Sequence, residues 1–81
     1  LFNMTTEYFS NKAELLNIIG DRISRLNHLL PDDLTEPDIS VVNECLEIIT
    51  FLKDHKYALT NQGLNQLEYI IRTAEDRLKG K

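Results

Sequence analysis

His28, His55, the single cysteine Cys45 and the carboxylates Asp32, Asp33, Glu36 and Asp38 are the side chains of this 81-residue chain whose types could do chemistry. A cysteine nucleophile needs a positive, accessible setting that favours the thiolate. Cys45 instead shares a helical face with Val42, Ile49 and Leu52, which predicts a small core residue. His28 and His55 each fall near the end of a helical stretch, where an imidazole complements the negative end of the helix dipole. The four carboxylates invite comparison with a calcium loop, but the alternation of oxygen ligands around a central Gly with a closing Glu is absent. Loop and capping chemistry accounts for them. No glycine-rich phosphate loop, paired-histidine zinc motif or G-x-S-x-G elbow occurs. The expectation is a non-enzymatic protein with no catalytic residue, no metal and no cofactor.

Those residues are carried on a helical pattern. Leu16, Ile19, Ile23, Leu26 and Leu30 recur three and four apart, a heptad seam predicting a helix over about 10–30, and Phe9 falls one heptad earlier in the same register. Ser10 or Asn11 is the expected cap, and Pro31 the stop. Gly20 lies inside this helix, where glycine costs about 1 kcal/mol relative to alanine, and is read as permitting a close helix contact. After Pro31-Asp32-Asp33-Leu34, the run Thr35-Glu36-Pro37-Asp38 predicts a second helix over 36–54, capped by Thr35 with Pro37 in its first turn. Apolar residues from Ile39 to Leu52 cover most of this helix, leaving Ser40, Asn43, Glu44, Glu47, Thr50 and Asp54 as a narrow polar strip, so it is expected to be central. A turn near residues 55–59 and a cap at Thr60 or Asn61 open a third helix over 61–79. Its seam is Leu64, Leu67, Ile71 and Leu78, with Ala74 between, and Gly80 is the expected C-terminal cap. Glu68 with Arg72 and Glu75 with Lys79 are expected as ion pairs on its solvated face.

The predicted fold is therefore all-α, an antiparallel three-helix bundle forming one domain over residues 1–81. Met4 can be read as a start residue with Leu1, Phe2 and Asn3 foreign to the chain, and a genuine upstream extension would read the same; the three carry no functional argument. So small a chain buries only about 60% of its unfolded surface, and its wide apolar faces predict a homodimer. The candidate dimer or core seam is Leu16, Ile19, Ile23, Leu26, Leu30, Leu64, Leu67, Ile71 and Leu78.

Composition narrows the partners. One cysteine allows no internal disulfide, and no run of about 18 apolar residues suits a membrane, so a reducing cytoplasm and no membrane partner are expected. The net charge of −4 conceals a gradient: residues 31–54 hold seven acids and one lysine, a net of −6, between flanks that are mildly basic. Asp32, Asp33, Glu36, Asp38, Glu44, Glu47 and Asp54 form a candidate acidic surface that would steer a basic protein partner. Nucleic acid is not the expected ligand, although Thr60, Asn61, Gln62, Asn65 and Gln66 could offer base contacts from the third helix, and a continuous face of Arg22, Arg25, Lys53 and Lys56 would favour it.

Tyr8-Phe9 ahead of a helix ending in Leu29-Leu30, an acidic turn before an apolar helix closing on Phe51-Leu52, and the segment from Leu67 through Asp76 together cover most of the chain. In this order they resemble the small enterobacterial biofilm and acid-resistance connector proteins. The resemblance implies an all-helical dimer without catalytic residues that modulates a two-component phosphorelay or biofilm regulation through protein contacts. The alternatives are an inhibitor or antitoxin-like protein of the phage or plasmid kind and, after it, a weak DNA-binding regulator.

Overall fold

A computed structural model describes the backbone of residues 4–79 and the side-chain surroundings of residues 12–79. The described chain is all-helical: α1 spans Met4–Leu29, α2 Ile39–Asp54 and α3 Asn61–Leu78, with a 3₁₀ turn at Lys56–Ala58 between the last two. The expectations that fall on residues 1–3, on the side chain of Phe9 and on the Gly80 cap lie outside the described residues.

Both predicted starts of the first two helices are corrected. Helix α1 begins at Met4 and runs through Ser10 and Asn11, because Thr5 to Phe9 contain neither Pro nor Gly to stop it and potential caps need not act as caps inside a helix. Helix α2 begins three residues later than Glu36, and its cap is Asp38, not Thr35. Asp38 has extended backbone (φ −77°, ψ 172°), and its Oδ1 accepts from the Val41 N–H at 2.9 Å and from the Ser40 hydroxyl at 2.8 Å. Pro37 explains the difference. Its ring disfavours helical geometry at Glu36, so a helix cannot pass from Thr35 through that residue. Its own position precedes the cap. The third start agrees with expectation: the Thr60 hydroxyl accepts from the Gly63 N–H at 3.2 Å.

Each helix supplies one stripe to the core. Ile19, Leu26 and Leu30 come from the first helical segment, Cys45, Ile48, Ile49 and Leu52 from α2, and Leu67, Ile71 and Ala74 from α3. These spacings of three, four and seven are those of a single helical face. Within the predicted seam, Ile19, Leu26, Leu30, Leu67 and Ile71 are buried, Ile23 and Leu78 pack partly buried against the same core, Leu64 is half-buried and Leu16 stays exposed. Most of the seam thus serves the chain's own interior.

Three ion pairs tie the elements across their margins, two between helices and one from α3 to the loop after α1. Arg25 grips Glu44 with two hydrogen bonds, Nε to Oε2 at 2.7 Å and Nη2 to Oε1 at 3.1 Å, joining α1 to α2. Lys53 Nζ meets Glu75 at 3.0 Å, joining α2 to α3. Arg77 reaches from the last turn of α3 to the end of α1 and the loop after it, donating to the Leu30 carbonyl at 2.6 Å and to Asp32 at 2.6 Å. The expected pairs within α3 are corrected accordingly. Glu75 turns to Lys53 instead of Lys79, and Glu68 with Arg72 is not an ion pair among the described residues.

Gly20 permits no close contact. A methyl group built on it would meet nothing within 4 Å, so the position faces open space.

Candidate interaction surface

Cys45 and His55, two of the side chains whose types could do chemistry, are held in structural roles. Cys45 is fully buried, and burial pushes its thiol above the ordinary range, with Glu44 nearby adding to the shift. A thiol that resists ionisation is a poor nucleophile. His55 is the C-terminal cap of α2; its backbone N–H donates to the Phe51 carbonyl at 3.1 Å, and its Nδ1–H donates to the same oxygen at 2.8 Å. His28 lies in the last turn of α1. Both histidines thus stand at negative helix ends, as their positions in the sequence suggested. Among the described residues, no group of three His, Cys, Asp or Glu gathers as a metal site would require.

The seven candidate acids separate by role. Asp38 is spent on the α2 cap, Glu44 on Arg25 and Asp32 on Arg77. The Val41 N–H and the Ser40 hydroxyl hold the Asp38 carboxyl below its usual range, and the Arg25 guanidinium does the same for Glu44. Asp33, Glu36, Glu47 and Asp54 are exposed. Glu47 and Asp54 lie seven residues apart on one edge of α2, and the other two precede that helix in the loop. The acidic surface is therefore narrower than the charge count suggested.

Three of the four cations that could favour DNA are engaged at helix contacts. Arg25 and Arg22 line the contact of α1 with α2, the latter with its guanidinium carbon 5.2 Å from the centre of the Phe51 ring. Lys53 lies at the contact of α2 with α3. Charge neutralised by a neighbouring carboxylate has less to offer a phosphate backbone.

Helix α2 is not enclosed on all its apolar sides: Ile39 is 74% exposed and Leu46 48% exposed. Together with half-buried Val42 they form a strip with spacing 3 and 4, and Leu78 of α3 continues it sideways. Val42, Leu46 and Leu78 line one shallow depression with Glu75 and Lys79, while Asn43, Leu46, Glu47 and Thr50 line the next. The spacing of Ile39, Val42 and Leu46 was legible, but an apolar residue on a helix says nothing about which neighbour covers it. Tyr57 and Tyr69 are also exposed, the latter beside a groove of about 190 Å³ formed by Leu26, Leu30, Ile70 and Arg77 among others.

No protein-family model matches the chain, and neither a curated protein nor a solved structure matches it significantly. Among the described residues no helix is long and apolar enough to cross a membrane.

Proposed function

We propose that this protein is a non-enzymatic regulator acting by contact with other proteins, of the connector kind that modulates two-component or biofilm signalling. The observation that carries the reading is the exposed apolar strip of Ile39 and Leu46 beside the carboxylates of Glu47 and Asp54. Exposed apolar residues grouped on one helix face and rimmed by polar groups are the usual makings of a protein contact. The structural employment of Cys45 and His55 agrees with a role that needs no reactive side chain. Resemblance to the connector proteins supplies the pathway. A cytoplasmic setting suits a buried, unpaired cysteine.

Within this reading the three helices form an antiparallel bundle. In support, Arg22 meets Phe51 and Arg25 meets Glu44, so contacts advance along α1 as they recede along α2. Arg77 brings the end of α3 to the end of α1. The chain further acts as a homodimer, since Leu16, Ile18, Tyr57 and Tyr69, away from the strip of Ile39 and Leu46, leave more apolar surface outside than one small fold needs. Light scattering at micromolar concentration should give twice the 9.4 kDa mass; a single-chain mass would exclude the dimer.

The identity of the partner decides the class. Affinity capture from bacterial lysate, followed by mass spectrometry and reconstitution with the purified candidate, should yield a response regulator or sensor kinase. A nuclease, toxin or polymerase recovered instead would replace the connector by an inhibitor.

A further inference from the structure

We propose that the strip of Ile39, Val42, Leu46 and Leu78 is a docking site for a basic amphipathic helix of a partner protein, a proposal that rests on the reading of this chain as a protein-contact regulator. The apolar part comes from α2 and α3. Ile39, Val42 and Leu46 recur at the spacing by which one helix offers holes to the side chains of another, and Leu78 widens the floor. Ile39 to Leu46 spans seven residues of helix, about 10 Å at 1.5 Å per residue, enough to seat two turns of a partner.

Charge selects the occupant. Along one margin stand Glu47 and Asp54, one heptad apart and exposed, with Asn43 and Thr50 between them and the apolar floor. Along the other margin Lys53 is neutralised by Glu75, and Lys79 is exposed. One edge is thus acidic, and the other holds an internally balanced pair and one further cation. A helix with apolar residues at i, i+4 and i+7 and Lys or Arg on one flank only matches both edges. A second copy of this chain fits less well. In a two-fold pairing that sets the α2 helices antiparallel across the strip, each acidic margin faces its own copy, and like charges oppose.

The test uses fluorescence anisotropy with a synthetic helix-forming peptide of about 16 residues, long enough to take helical form on docking. It carries Leu at i, i+4 and i+7 and Lys on one flank. Two controls keep its composition or its pattern: one with the same residues scrambled, one with Glu in place of Lys. The wild-type chain should bind the patterned basic peptide at least about tenfold more tightly than either control. Leu46→Ser should weaken binding about tenfold, the scale expected for losing a part-exposed leucine at an interface. Glu47→Lys with Asp54→Lys should weaken it by a similar factor at low salt and by much less in about 0.5 M salt, where exposed charges are screened. All three changes lie at exposed positions, so helicity and melting temperature should stay near wild type; Asn17→Lys, exposed on α1, should leave binding unchanged.

Equal binding of the scrambled peptide, or indifference to Leu46→Ser and to the charge reversals, would overturn the proposal. So would a dimer that Leu46→Ser dissociates, because the strip would then be covered by a second copy. Failure here and failure of the connector reading are distinguishable. A captured signalling protein whose binding ignores these substitutions removes the docking site and leaves the connector; strip-dependent peptide binding by a chain that captures no signalling protein does the reverse.

Discussion

At Cys45 the thiol shares its burial with Ile48, Ile49 and Leu52, and that burial holds it protonated. Its reaction with a thiol reagent at neutral pH should be negligible in the folded chain and should appear only with unfolding by denaturant; rapid labelling of the native protein would contradict the packing. The carboxylates make a separate prediction about acid. Asp38 and Glu44 both have their proton affinity lowered on folding, the first by the Val41 N–H and the Ser40 hydroxyl, the second by Arg25. A folded-state value below the unfolded one means that the unfolded chain takes up protons first as pH falls. Their contribution is then complete above the ordinary carboxylate range, near pH 4, and is lost as pH drops through it. The melting temperature should decline on acidification from about pH 6 to pH 3, and Asp38→Asn with Glu44→Gln should flatten that decline. An unchanged slope in the double variant would contradict these two bonds as its source. Both groups are exposed and screened by water, so the effect is expected to be modest.

For the helices, Gly20 gives the clearest test. Its missing side chain points into open space within a regular helix, so Gly20→Ala should stabilise the chain by about 1 kcal/mol, measured by urea unfolding. Destabilisation, or loss of self-association, would mean that something approaches this face. The same residue shows where reading the sequence reached its limit. Leu16, Ile19, Ile23, Leu26 and Leu30 announced the helix, but periodicity cannot show whether a glycine beside the stripe meets a neighbour or solvent. The α2 start was misplaced for a local reason: Thr35 and Asp38 are both good caps, and only the backbone effect of Pro37 on Glu36 distinguishes them. Thr60 had no such competitor, and its cap was legible. The ion pairs were the least legible element, since Glu75 could meet Lys79 one turn away or Lys53 on another helix, and sequence spacing reports only the first.

Across the whole molecule, a net charge of −4 is less informative than its distribution, and the distribution less than its pairing. Of the seven acids in the middle third, three are engaged by Arg25, Arg77 and the α2 cap, which leaves Asp33 and Glu36 in the loop and Glu47 and Asp54 as the charged edge of an exposed apolar strip. The acidic surface and the apolar excess, separate properties in the sequence, meet on one side of α2. The proposed function is that the protein lends this face to a signalling protein. Placing a photo-crosslinking amino acid at Leu46, and separately at Asn17 on α1, tests that claim in bacterial cells. A discrete covalent adduct with a response regulator or sensor kinase is expected from position 46 and none from position 17; adducts absent from position 46, or equal from both positions, would contradict the proposed function.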